Sequence, residues 1–244
     1  MNTYKTKKLK FNYVFGGINY SSYKYITAKN LFKYGQTEDI KLGFLIGGGF
    51  KIINKSFGAS INGFGWEGGI KYSSKKNKDY IFQDYNFDYY YLKNYSNNGV
   101  DCKIEHFHLY SNQLKLVNRI SFKKIHTYKA TAAYSLGEDY GLRGYKSKYL
   151  EGNKYLLINS QLEYIFKREI WKIIYPGADI FYDLGRTFQQ SEQVKLSKFY
   201  HNAGLAFKLI LHRSSSFDEF NFSVSFPFKR EHSPYFSFQT SLDF

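Results

Sequence analysis

The end of the chain alternates without interruption: Phe236, Phe238, Thr240, Leu242 and Phe244 are separated by Ser237, Gln239, Ser241 and Asp243. Period two marks a strand with one bulky apolar face and one polar face, and it does not fit a helix, whose faces recur every 3.6 residues. The segment before it repeats the pattern. Phe220, Phe222, Val224, Phe226 and Phe228 alternate with Asn221, Ser223, Ser225 and Pro227, and the intervening Lys229 to Pro234 reads as a short turn.

Further upstream, Ala203, Leu205, Phe207, Leu209 and Leu211 share a face, with Lys208 opposite. Trp171 to Thr187 sets Ala178, Ile180, Tyr182 and Leu184 against Asp179, Phe181 and Asp183. Tyr155 to Phe166 sets Leu156, Ile158, Leu162, Tyr164 and Phe166 against Asn159, Gln161 and Glu163. Weaker alternation predicts strands near residues 8–20, 40–54, 57–73, 80–92, 100–110 and 114–127, which makes roughly eleven strands with boundaries good to a few residues.

Composition distinguishes the kinds of all-β fold. Aromatic residues make up 21% of the 244 residues, with 25 Tyr and 24 Phe, more than a closed soluble core of this size needs, yet mean hydropathy is negative. A membrane β-barrel reconciles the two, because only alternate residues of each strand meet lipid and the others face a polar lumen. Carboxylates on otherwise apolar strands, Asp179, Asp183 and Glu163, then belong on the lumen wall, since charge facing lipid is costly. No apolar run approaches the roughly 20 residues of a spanning helix. The expected fold is therefore all-β, an antiparallel transmembrane barrel running through residues 1–244.

Several function classes are disfavoured. The net charge of +15 is spread along the chain rather than gathered in one stripe, so nucleic acid is not an expected partner. The single Cys102 excludes an intramolecular disulfide and a cysteine metal cluster. His106 and His108 share a face of one strand, but spacing reveals no third ligand, so no metal site is expected. There is no Gly-x-Ser-x-Gly elbow, phosphate loop or dinucleotide fingerprint, hence no catalytic residues, no cofactor and no enzyme are expected.

Between the strands flanking residues 134–153 lies Gly137-Glu-Asp-Tyr-Gly-Leu-Arg-Gly-Tyr145, whose glycines permit a tight backbone path. Here Leu142-Arg143-Gly144-Tyr145 resembles the Arg-Gly-aromatic motif on the inward-folded sixth loop of BamA-like outer-membrane assembly and two-partner secretion barrels. A second motif of that superfamily, Phe-x-Asp-x-Gly on a following barrel strand, is matched by Phe181-Tyr182-Asp183-Leu184-Gly185.

The resemblance covers about the last 110 residues. It implies that the loop folds back into the lumen and that the Arg143 guanidinium meets Asp183, and also Glu163, on the inner wall. It implies the C-terminal portion of a sixteen-stranded barrel at the bacterial outer membrane, acting in insertion or translocation of proteins. Its partners would be outer-membrane lipid, client outer-membrane or secreted proteins, and assembly-complex lipoproteins. The terminal strand, 235–244, would carry the insertion signal in Phe236, Phe238, Leu242 and Phe244. The superfamily's periplasmic POTRA domains are not visible, and Met1 to Lys10 is not followed by the apolar stretch of an export signal, so the chain reads as a portion of a longer protein or as one whose start is misplaced. The alternative is a membrane-anchor or transport barrel, such as the barrel that follows a patatin-like lipase domain.

Overall fold

The computed structural model describes residues 10, 12–92, 95–126, 134–193, 198–211, 219–229 and 233–240. The chain is all-β and is dominated by one antiparallel sheet of eleven strands. In chain order these are β1 (Tyr13–Lys29), β2 (Thr37–Ile53), β3 (Gly63–Lys76), β4 (Asp79–Leu92), β5 (Tyr95–Leu109), β6 (Leu114–His126), β9 (Lys154–Ile165), β10 (Ile174–Phe188), β11 (Tyr200–Leu211), β12 (Glu219–Pro227) and β13 (Tyr235–Thr240). Two three-residue strands, β7 (Tyr134–Leu136) and β8 (Leu150–Gly152), pair with each other in the segment between β6 and β9. Each large strand pairs with its sequence neighbour, and β6 pairs directly with β9 across that segment. The two ends of the order, β1 and β13, are not paired with each other among the described residues.

The eleven expected strands are present, and several boundaries differ: β2 begins three and β5 five residues before the expected start. The first strand runs from Tyr13 to Lys29, well past the expected 8–20. The third begins at Gly63, because Lys55–Phe57 forms a 3-10 turn capped by the Asn54 side chain. β10 begins at Ile174 rather than Trp171: Trp171 and Lys172 adopt left-handed φ values of 52° and 59°, closing a turn clamped by the Ile170–Ile174 bridge. Leu242 and Phe244 of the expected insertion signal lie outside the described residues. Phe236 and Phe238 are on β13, on the exposed face.

The sheet curls so that remote strands share one concave face. A cavity of about 340 Å³ is lined together by Asn30 and Phe32 after β1, Glu105 on β5, Gln161 on β9, Lys208 on β11 and Glu219 on β12. The connection 30–36 is tied across it: Asn30 Nδ2 donates to the Asn112 carbonyl at 2.9 Å, and Lys115 Nζ donates to the Leu31 carbonyl at 2.9 Å.

Burial follows strand parity in an unusual sense. On β10 the concave residues Asp179, Phe181 and Asp183 are buried, while the convex Ile180 is 60% exposed. On β11 and β12 the buried positions include Asn202, Lys208, Asn221 and Ser225, and the exposed ones include Leu205, Phe207, Phe222 and Phe226. The convex face also exposes Ile18, Phe50, Trp66 and Ile120 on the earlier strands.

Candidate functional site

The segment between β6 and β9 folds against the concave face of β9 to β12. Its path depends on two glycines: Gly141 and Gly144 both hold φ of 83°, a left-handed conformation that costs an L-residue with a Cβ roughly 1–2 kcal/mol. At Gly144 a Cβ would also sit 2.9 Å from Ser225 Cβ, so the backbone lies directly on β12. Between these turns Leu142 is fully buried in a cluster with Leu136, Tyr145 and Leu157.

The loop thereby delivers Arg143 to Asp183 in a two-pronged ion pair. Arg143 Nε donates to Asp183 Oδ2 at 2.9 Å and Nη2 donates to Oδ1 at 2.7 Å, with the Arg143 backbone N–H adding a longer bond of 3.3 Å to Oδ2. The planar guanidinium suits this geometry, since two parallel N–H groups match two carboxylate oxygens. Both side chains are buried.

Register explains the rest of the carboxylate's partners. Asn159 on β9 and Asn202 on β11 are both paired with Asp183, forming one rung across three strands. Asn159 Nδ2 donates to Asp183 Oδ1 at 2.7 Å, and Asn202 Nδ2 donates to Oδ2 at 3.1 Å. Asn159 Nδ2 also donates to the Gly141 carbonyl at 2.7 Å, so one amide holds both the loop backbone and the acid that receives the loop's arginine.

Each residue of the second motif touches the first. Positions 181, 183 and 185 fall on one face because strand side chains alternate. The Phe181 ring lies under the guanidinium, 3.6 Å from its central carbon, a cation–π contact. Asp183 takes the charge. At Gly185 a Cβ would meet Leu142 Cδ1 at 3.2 Å and Leu157 Cδ1 at 3.0 Å, so the glycine makes room for the leucine beside the arginine. Tyr145 completes the docking. Its hydroxyl donates to the His201 carbonyl at 2.9 Å, its ring stacks on Tyr149 and meets Tyr200 edge-on, and burial pushes its pKa up to about 12. The last strand joins in, with the Tyr235 hydroxyl donating to Glu138 Oε2 at 2.6 Å.

Glu163, the second expected partner of Arg143, is held mainly by lysines. Its carboxylate lies 3.2 Å from Lys115 Nζ and 3.7 Å from Lys208 Nζ. The physical reason is register: Glu163 pairs with Asp179, and Asp179 lies four residues along β10 from Asp183, about 13 Å at strand rise. Lys208 Nζ also meets Asp179 Oδ2 at 2.9 Å, separating two cross-strand carboxylates that would otherwise repel. Gln161 links the two charged groups: its Oε1 accepts from Arg143 Nη1 at 2.8 Å, and its Nε2 donates to Asp179 Oδ2 at 2.8 Å and to Glu163 Oε1 at 3.2 Å. Sequence parity had turned Asn159, Gln161, Asp179 and Lys208 inward, but their roles around the pair required the register.

A second cluster lies elsewhere. Asp79, at the start of β4, brings its Oδ1 to 2.8 Å from His106 Nε2 and 2.7 Å from His108 Nδ1. The third polar group beside the two histidines, which spacing did not reveal, is thus supplied by the neighbouring strand through the pairing of Asp79 with His108.

A scan against protein-family models finds no match for this chain, and a search of curated proteins finds none either.

Proposed function

We propose that the chain is the C-terminal portion of an outer-membrane β-barrel resembling the BamA-like superfamily, acting in insertion or translocation of proteins at the bacterial outer membrane. The observation that carries this reading is the meeting of the two motifs: Arg143 on Asp183 and Phe181, with Leu142 over Gly185. That is the contact the resemblance implies, and two short motifs placed by chance would have no reason to interlock.

The membrane part of the reading is supported by the inverted burial. Burying Asp183 completely while leaving Ile180, Leu205, Phe222 and Phe226 on the surface reverses what folding in water favours. Lipid outside and a polar interior remove the conflict. Strand length agrees: β1 to β5 have 14 to 17 residues, which at about 3.3 Å per residue and about 40° tilt rise roughly 35–43 Å, enough to cross an apolar band of about 25 Å.

The loop's position in the strand order supports the family part. In a sixteen-stranded barrel with both ends on one side, the sixth loop of the opposite side precedes the last five strands. Five strands, β9 to β13, follow this loop. The edge at β13 suits the proposed activity, because an edge strand offers unpaired N–H and C=O groups on which a client strand can pair.

The test is reconstitution of the protein from its upstream-extended reading frame, with the barrel strands that this reading places before β1, refolded from urea into liposomes, followed by addition of a urea-denatured small outer-membrane barrel as client. The expected result is resistance to alkaline extraction and severalfold faster client folding, with the acceleration lost in Arg143→Ala. Recovery of the folded chain in the soluble fraction would overturn the membrane reading. Integration without acceleration would overturn the assembly reading and leave a membrane-anchor barrel.

A further inference from the structure

We infer that Asp79, His106 and His108 form a binding site for a divalent transition-metal ion, with Zn²⁺ as its type. One ligand atom from each of Asp79, His106 and His108 lies within 4.8 Å of the other two. Imidazole nitrogens with one carboxylate oxygen are a donor set for Zn²⁺, and three protein ligands leave one tetrahedral position for water. Zinc bonds of about 2.0–2.1 Å place tetrahedral ligands about 3.3 Å apart. The observed separations from Asp79 Oδ1 are 2.8 Å and 2.7 Å, so each must open by about half an ångström for the ion to enter.

The site is built on rigid elements. His106 and His108 share a face of β5, and Asp79 stands opposite His108 at the first pair of the β4–β5 ladder. The chain enters β4 through a two-residue connection in which Asn77 holds a left-handed φ of 55°, and this fixes where Asp79 begins. The ring of His108 packs edge-on against Tyr110 with centroids 4.4 Å apart. His106 has a supporting partner: its Nδ1 lies 3.2 Å from the Asn118 side-chain amide, which in turn meets Ser160 Oγ at 2.8 Å. Turning that amide over lets its oxygen accept from Nδ1–H and its NH₂ donate to Ser160, leaving the Nε2 lone pair for the metal. Outer partners of this kind orient metal-bound histidines.

Position is consistent with access. The neighbouring Tyr80 and Phe107 point into the buried concave cluster, so Asp79, His106 and His108, of opposite parity, lie on the convex face. They sit at the end of β4 and β5 where the short connections to β3 and β6 lie, and each side chain is partly exposed, so an ion reaches them without the sheet opening.

The test uses the untagged full chain, refolded in detergent and stripped of metal, titrated with Zn²⁺ by calorimetry and with Co²⁺ by visible absorption. The wild type is expected to bind one equivalent of Zn²⁺ and to give the intense absorption of low-coordinate Co²⁺. Asp79→Asn, His106→Ala and His108→Ala should each weaken binding at least tenfold, Asn118→Ala by about tenfold, and His126→Ala, a histidine on β6, not at all. Circular dichroism of each variant confirms that it has folded before titration. Absence of saturable one-equivalent binding by the wild type overturns the proposal whatever the variants do, and so does unchanged affinity in the folded His106→Ala/His108→Ala double variant.

Discussion

Replacing Asp183 by leucine removes the group that receives the loop. The carboxylate accepts three hydrogen bonds from Arg143 and one each from Asn159 and Asn202. Without it a buried guanidinium retains the Gln161 oxygen and the Phe181 face, and a desolvated cation–π contact is worth only about 2 kcal/mol. Removing one partner of a buried pair costs about 3–5 kcal/mol. At about 1.4 kcal/mol per factor of ten, the docked loop loses between about two and three and a half powers of ten relative to the undocked one.

Limited trypsin digestion reads that equilibrium directly, because Arg143, Lys146 and Lys148 are potential cleavage sites within the loop. Asp183→Leu should accelerate cleavage there by orders of magnitude, up to the rate of an unstructured segment, and Arg143→Met should destabilise docking by leaving the acid unpaired, read as shorter survival of the Lys146 and Lys148 sites. The double variant removes both charges, and apolar replacement of a whole buried pair is often neutral or stabilising. It should therefore be better protected at Lys146 and Lys148 than either single variant, with a coupling of about 2 kcal/mol or more. Additive effects, with the double variant the least protected, would refute the claim that this pair holds the loop.

Gly144→Ala forces a Cβ into a left-handed turn against Ser225 and should expose the loop to the same protease, with a loss of about 2 kcal/mol or more in the docking equilibrium. Tyr145→Phe deletes the hydroxyl that donates to the His201 carbonyl and should cost about 1 kcal/mol by urea titration of tyrosine fluorescence. Lys208→Met leaves Asp179 and Glu163 facing each other and should lower the urea midpoint, whereas Lys208→Met with Asp179→Leu should recover part of the loss. Ile180→Arg separates lipid from water outside the sheet: at an exposed position in water it is nearly neutral, but facing a bilayer core it costs about 2–4 kcal/mol and should reduce the fraction integrated into liposomes.

Facing was legible on β9 to β12 because polar and charged residues recur at every second position there despite breaks such as Ile210 and Phe181, and a single reversal of parity would have turned every buried carboxylate outward. The start of β10 was not legible. Ile170, Trp171, Ile173 and Ile174 have strand-like side chains, and only the left-handed backbone at Trp171 and Lys172 makes the turn. The β7–β8 hairpin escaped for another reason, since three-residue strands are too short to show a period. Arg143 and Asp183 could be paired from motif order alone, but the partners of Glu163 depend on which residue lies across the ladder, and alternation carries facing without register. The same gap hid Asp79 from His106 and His108, whose meeting is set by the β4–β5 pairing.

The ion pair and the apolar part of the loop depend on each other. Leu142, Tyr145, Leu136 and Leu157 form a buried cluster next to Arg143 and Asp183, and the low dielectric that it creates strengthens every bond to the carboxylate. The same low dielectric makes either charge alone costly, so the loop has few stable half-docked states: once the cluster opens, water reaches the pair, and once the pair breaks, the cluster encloses a charge without its counter-ion. Apolar truncation such as Leu142→Ala should therefore reduce the coupling measured between Arg143 and Asp183 as well as the docking stability. A packing change that lowered stability but left the coupling intact would show that the two parts act independently.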